Sequence, residues 1–241
     1  MKIDKSTALV TGANRGIGRA FVETLLEQGA ARVYATARKP DSLEELVRTA
    51  PDRVIPLKLD VTDEESILLA AASANDVNLL INNAGVLAFA DLLTGDMNLI
   101  RRDMETNYFG TLNMLRSFAP VLTKNSPGAV VNVLSVVSLA NMPMIGGYSA
   151  SKAAALSLTQ GVRKSLSQQG VSVHGVFPGP IDTDMARDLD MPKASPRDVA
   201  DAALAAVEAG EQDVFPDPMA KDVYSAWSSE PKALEMQFAT M

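Results

Sequence analysis

The sequence predicts an α/β chain built on a doubly wound parallel sheet of about seven strands with helices on both faces. Three observations carry that expectation. Short runs rich in Val, Ile and Leu recur along the chain, longer segments with apolar residues at helical spacing separate them, and the first run ends in a glycine-rich turn that opens such a segment. Strands covered on both faces show continuous apolar runs, as these do.

Taken in order, the expected strands are Ala8 to Val10, Arg32 to Ala35, Val54 to Leu59, Leu79 to Asn82, Val130 to Leu134, Val171 to Phe177 and Val214 to Phe215. The first helix follows the glycine turn, sets Ile17, Phe21 and Leu25 on one face, and meets a left-handed stop at Gly29. A later helix begins with Ser195 as cap and Pro196 at its first position, carries Val199, Leu204 and Val207, and stops at Gly210. From Asp213 to Met241 a final edge strand and a terminal helix are expected, with Trp227, Leu234 and Phe238 packing on the domain or across subunits. No repeat, low-complexity tract or linker divides the sequence, so residues 1–241 are expected to form one domain.

Of the 241 residues, 47% are apolar and 21% charged, enough to bury a substantial core. The absence of cysteine removes disulfides, thiolate metal sites and thiol nucleophiles, and fits a reducing cytoplasmic setting. The opening MKIDKSTALV has no apolar stretch with a cleavage site, and no window approaches the roughly 18 apolar residues of a membrane span. A soluble protein is expected. The net charge of -7, with Lys and Arg scattered among acids, argues against a nucleic-acid surface. His174, the sole histidine, sits among strand residues and reads as a packed side chain. With no cysteine beside it, a catalytic zinc has almost no ligands, and no metal is expected. No GxSxG elbow surrounds Ser135, which removes the serine-hydrolase reading.

The segment TGANRGIG places Gly12, Gly16 and Gly18 between the first strand and the first helix. Glycines there let the backbone turn tightly and approach a pyrophosphate at the positive end of the helix dipole. The spacing, GxxxGxG, departs from the general GxGxxG fingerprint.

TGANRGIG resembles the cofactor loop of the short-chain dehydrogenases and reductases, in their single-domain branch, and further motifs of that family recur in order. Asp60 and Val61 follow the third strand, where the family holds adenine. Asn82, Asn83, Ala84 and Gly85 spell NNAG, Asn107 lies in the next helix, and Ser135 ends the fifth strand. Tyr148 and Lys152 form YxxxK, and Pro178, Gly179 and Thr183 match PGxxxT. The matches span residues 7 to 183 and leave the last ~60 unmarked. The resemblance implies a Rossmann-type fold and a cofactor held by Gly12, Asn14, Arg15, Gly16, Ile17, Gly18, Arg38, Asp60, Val61, Asn83, Ala84, Gly85, Tyr148, Lys152, Pro178, Gly179, Ile181 and Thr183.

Carbonyl reduction needs a hydride donor, a proton donor and a group that holds the oxygen as charge develops. Tyrosine titrates near ~10, so it needs help. Lys152, one helical turn after Tyr148, would favour the phenolate and lower that value. In the resembled family the lysine also bonds the nicotinamide ribose, Ser135 donates to the substrate oxygen, and Asn107 completes the catalytic set by holding a water that links the lysine to solvent. Leu134 stands where many relatives have another serine, without affecting Ser135.

An NAD site usually ends its second strand with a carboxylate that bonds the adenine ribose. Here Ala37 takes that place and Arg38 follows, while Arg15 stands in the glycine loop. Two guanidinium groups converging on a 2'-phosphate predict NADP(H) as cofactor. In open parallel sheets ligands lie beyond the carboxyl ends of the strands. The segments there supply Leu87, Phe89, Val137, Met142, Met144, Met185 and Leu189, an apolar pocket for a ketone, aldehyde or secondary alcohol. Arg187, among Asp182, Asp184, Asp188 and Asp190, reads as a partner in a charged segment. Residues 184–194 are expected to form a lid. The family commonly assembles through its long helices, which implies a homodimer or homotetramer. The alternative is a non-catalytic NADP(H)-binding sensor, which would bind cofactor without turnover.

Overall fold

Each apolar run of the sequence forms a strand in the computed structural model, which describes residues 1–187 and 189–240; Asp188 and Met241 lie outside the described residues. The strands are β1 Thr7–Val10, β2 Arg32–Ala37, β3 Val54–Lys58, β4 Leu79–Asn82, β5 Gly128–Val133, β6 Val171–Val176 and β7 Asp213–Val214. They form one seven-stranded sheet in the order β3-β2-β1-β4-β5-β6-β7, every pairing parallel. The expected sequence of strands is therefore observed, with shifted ends. β2 continues to Ala37 because Thr36 and Ala37 pair with Leu57 and Lys58. Leu59, Leu134 and Phe177 lie one residue past their strands, where each still donates a backbone bond to the neighbouring strand. Burial of these three side chains explains why the apolar runs overshoot the ladder.

Two helical layers cover the sheet. On one face, α1 Gly16–Glu27 and α7 Pro196–Ala209 bury Phe21, Leu25, Val199 and Leu204 against Ala8 and Val10 of β1. On the other, α3 Glu64–Ser73, α5 Thr111–Lys124 and α6 Gly146–Ser167 bring Ile67, Phe118 and Leu166 onto Leu9 and Leu80. The alternation of Ala8, Leu9 and Val10 between the two cores follows from the period of two along a strand. The helix signals hold: Ser195 caps α7 by accepting from the Asp198 N–H at 3.0 Å, and Gly29 and Gly210 take φ of +86° and +78°. The short α2, Glu44–Thr49, links β2 to β3, and α4, Met97–Met104, runs into a π-helical turn over Glu105–Gly110 before α5.

Beyond β7 the tail forms two helices, α8 Pro218–Ser229 and α9 Pro231–Phe238, where the sequence suggested one. Pro231 ends α8 and opens α9, as its missing N–H and fixed φ dictate. Leu234 and Phe238 are buried in the cluster that contains Val136, Val137 and Tyr148, whereas Trp227 is partly exposed and stacks on Tyr224. Among the described residues no helix is long and apolar enough to cross a membrane.

Because Phe238 is fully enclosed beside Tyr148, Phe238→Ala is expected to lower stability by about 3–5 kcal/mol, read as a lower denaturant midpoint. A change below ~1 kcal/mol would mean that the terminal helix docks loosely.

Candidate active site

The strand order reverses between β1 and β4, so the connections from these two neighbours leave toward opposite faces and open a crevice at their carboxyl ends. The glycine loop lies in this crevice. Gly12 takes φ of +65°, a conformation that side chains strain, and a Cβ on Gly18 would collide with the Gly12 carbonyl oxygen. Gly18 thus packs against the Gly12 carbonyl beneath the loop and is not among the residues lining the cleft. The first turn of α1 has neither a side-chain cap nor an acidic residue. Gly16 and Ile17 of this turn line the cleft, and the close glycine backbone leaves room, so the cradle fits a dinucleotide pyrophosphate.

The cleft has a volume of about 720 Å³. It collects Gly12, Asn14, Arg15, Gly16, Ile17, Arg38, Asp60, Val61, Asn83, Ala84, Gly85, Pro178, Gly179, Ile181 and Thr183 along one length. Ser135, Tyr148 and Lys152 meet in its wall, and Leu87, Phe89, Val137, Met142, Met144, Met185 and Leu189 line the remainder. Of the residues expected here, only Gly18 and Asn107 are absent from the surface. Asn107 is buried one layer back: its amide donates to the Val86 carbonyl and the Ser151 hydroxyl, both at 2.9 Å, and its carbonyl accepts from the Val86 N–H at 3.0 Å. With these bonds made, the side chain positions the Val86 segment.

Ser135, Tyr148 and Lys152 are each more than nine-tenths buried. Ser135 follows β5 by two residues instead of ending it, and caps a short 3₁₀ turn through Val136–Ser138. Its hydroxyl bonds the Tyr148 phenol and lies 3.5 Å from the Pro178 carbonyl. Lys152 Nζ donates to the Val133 carbonyl at 2.8 Å and stands 5.7 Å from the centre of the Tyr148 ring. Burial disfavours both charged forms. It pushes Tyr148 up to about 12, against the Ser135 hydrogen bond, and pushes Lys152 down to about 8. The expected lowering of the tyrosine by the lysine is therefore not found: desolvation dominates, and the ammonium is turned to a backbone carbonyl.

Arg38 and Asp60 both line the cleft, near enough for the Arg38 charge to act on the carboxyl. Burial favours the neutral Asp60 carboxyl, but hydrogen bonds from Thr62 and the Arg38 charge hold it below the usual carboxylate range. Arg15, expected beside Arg38, instead pairs with Asp184 at 2.9 Å, and Asp184 also pairs with Arg187. Residues 184–194 are tied at their base by a parallel bridge between Ile181 and Ala194. Asp217 was missed by the sequence reading. It accepts from the Gly179 N–H and caps α8 through the Ala220 N–H, both at 2.9 Å, which fastens the PG segment to the tail. The Asp-Pro pair before an apolar run was its signal. Arg102 and Met219, also on the cleft surface, carried no motif.

Comparison with known proteins agrees with this geometry. A family model described as short chain dehydrogenase matches residues 6–194. A crystal structure of a short chain dehydrogenase from Burkholderia cenocepacia in complex with NADP is 43% identical, superposes with a TM-score of 0.94, and is matched over 99% of each chain. An uncharacterized oxidoreductase of Staphylococcus saprophyticus is 31% identical over 86% of this chain and 93% of its own. A 3-oxoacyl-[acyl-carrier-protein] reductase of Vibrio cholerae is 32% identical over 87% of this chain and 85% of its own.

The tight approach beneath the loop makes Gly18→Ala destabilising by about 1–3 kcal/mol, measured by thermal or denaturant unfolding of the protein alone. Unchanged stability would mean that Gly12 and Gly18 are not in close contact.

Proposed function

We propose that this chain, which belongs to the short-chain dehydrogenase/reductase family and is an NAD(P)-dependent oxidoreductase, uses NADP(H) to move a hydride to or from a hydrophobic ketone, aldehyde or secondary alcohol. The observation that carries this reading is the meeting of Ser135, Tyr148 and Lys152 in the wall of the cleft that also holds the glycine loop.

Each residue then has a role. When bound, the nicotinamide would supply the hydride for the carbonyl carbon. Ser135 Oγ donates a hydrogen bond to the carbonyl oxygen, and the Tyr148 phenol gives that oxygen its proton, so the product is a neutral alcohol. Solvent returns the proton to Tyr148. Lys152, whose Nζ donates to the Val133 carbonyl, would hold the nicotinamide ribose through its ammonium. Asn107 acts from behind by holding Val86 and Ser151. Cytoplasmic action as a homodimer or homotetramer accompanies this reading.

Gly12, Asn14, Gly16 and Ile17 would cradle the pyrophosphate, and Asp60, Val61, Asn83, Ala84 and Gly85 the adenosine side. Arg38 supports NADP(H), because β2 ends in Ala37 and so offers the ribose no carboxylate. The neighbour from Burkholderia cenocepacia, solved with NADP, supports the same choice. Phe89, Met144 and Met185 leave roughly half of their surface exposed at the mouth of the cleft, which favours an apolar substrate able to cover them.

NADPH and NADH oxidation against apolar ketones, diketones and aldehydes, followed by loss of nicotinamide absorbance, tests the reading. NADPH consumption with an apolar carbonyl is expected; tight NADPH binding without turnover would favour a sensor. Tyr148→Phe should keep cofactor affinity and lower kcat by about 10²–10⁴-fold, and undiminished turnover would remove the proton-donor role. Since Tyr148 is held at about 12, reduction should keep its proton donor through neutral pH, whereas alcohol oxidation, which needs the phenolate, should quicken as pH rises. Arg38→Asp should weaken NADPH binding far more than NADH binding, and an unchanged ratio would reject the phosphate-binding role.

A further inference from the structure

Behind the cleft wall lies a buried carboxylate that none of these roles uses. Asp103, in the last turn of α4, has no exposed surface. Its Oδ2 accepts the Ala88 N–H at 3.1 Å, while Oδ1 has no hydrogen-bond partner among the described residues; Arg102 Nη2 stands 3.6 Å from it. Arg102 also reaches the Leu87 carbonyl at 3.4 Å, and Asn107, one turn further on, holds Val86 from both sides. One helical edge therefore grips Val86, Leu87 and Ala88 in succession. The same edge meets α6 where Asn107 donates to Ser151, whose hydroxyl donates to the Tyr148 carbonyl at 2.7 Å.

Hydrogen bonding alone does not explain an acid at this position. Burying a carboxylate with one N–H donor is costly, and a serine, threonine or asparagine could accept the same bond without the charge. Arg102 on its own helix and Lys152 on α6 are the cations acting on it, and the Tyr148 phenol is the other titratable group within reach. Burial holds Asp103 above the usual carboxylate range, against the Ala88 N–H and these two positive charges.

We propose that Asp103 is a positioning residue of this active site: through Ala88 it holds the segment that carries Leu87 and Phe89 along the substrate cleft, and it places a buried carboxylate behind the wall that Tyr148 and Lys152 form. The proposal rests on the reading of Tyr148 as proton donor. Burial drives Lys152 toward its neutral form, and the Asp103 charge opposes this; at Tyr148, burial disfavours the phenolate and the same charge adds to it. Asp103 thereby keeps the phenol protonated and the lysine charged, the pair of states from which carbonyl reduction starts.

The test is the tyrosinate absorbance of wild type and Asp103→Asn as pH rises. Subtracting the same curve for Tyr148→Phe isolates Tyr148 among the four tyrosines. Removing the charge should move the Tyr148 titration to lower pH in both Asp103→Asn and Asp103→Leu. The asparagine oxygen can still accept from Ala88, so KM for the carbonyl should stay within about twofold in Asp103→Asn and rise about tenfold or more in Asp103→Leu, where the segment is released. The rise of alcohol oxidation with pH should begin earlier in both. Coincident titration curves, or loss of the fold in both variants, would overturn the proposal and leave Asp103 a structural residue. The titration needs no turnover, so an enzyme inactive on every carbonyl would reject the proposed reaction while this measurement still decides the effect of Asp103.

Discussion

The hydroxyl of Thr11 holds together the two strand ends between which the cleft opens. It accepts the N–H groups of Asn83 and Ala84, both at 2.9 Å, and donates to the Ile81 carbonyl at 3.3 Å. The Asn83 amide returns to the Thr11 and Gly12 carbonyls at 2.9 and 3.2 Å. Where strand order reverses, the chain ends of β1 and β4 lose their sheet partners while their helices diverge, and buried backbone groups left unpaired there would cost stability. This exchange satisfies them within the floor of the crevice, so no bulky side chain has to fill it. The glycine loop and the Val86 segment both spring from that floor, and their separation sets the width available to a ligand.

From the same floor rises a wall that works against itself electrostatically. Desolvation pushes Tyr148 and Lys152 toward their neutral forms from opposite directions, leaving a phenol held at about 12 beside an amine held at about 8. Among the described residues the lysine has a carbonyl partner in Val133 and no carboxylate at salt-bridge distance. A close carboxylate would have fixed the ammonium and tied up its protons. The more distant Asp103 supports the charge without claiming the hydrogen bonds, which leaves donors for a ligand hydroxyl. The arrangement sacrifices some folding stability for a group that can still change its partners.

Much of this was legible in the sequence because it rests on local chemistry. The strands along the chain follow from apolar runs, the ends of α7 from Ser195 and Gly210, and the cleft lining from motifs that lie at the carboxyl ends of strands. What escaped depends on contacts between distant segments. That the missing side chain of Gly18 makes room for the Gly12 carbonyl depends on the folded loop and is not visible in the motif. Asn107 bonds Val86, 21 residues away, and Ser151, 44 residues away, and neither link leaves a periodic trace. The tyrosine shift was expected with the wrong sign because spacing on a helix reveals a neighbour's charge but not the depth of burial. Asp217 was within reach: an aspartate before proline at a helix start is a capping signal, although its bond to Gly179 is not.

The segment that begins at Asp184 meets the glycine loop through an ion pair. Arg15 is paired with Asp184 across the glycine loop, and both side chains are exposed, so water screens the pair and it adds little net stability. A phosphate dianion offers the same guanidinium a stronger partner with more acceptor oxygens. Arg15 can therefore exchange Asp184 for a ligand phosphate at small cost, whereas Arg38 needs no such exchange because Asp60 is engaged by Thr62. The exchange would leave Asp184 with Arg187, a residue of its own segment.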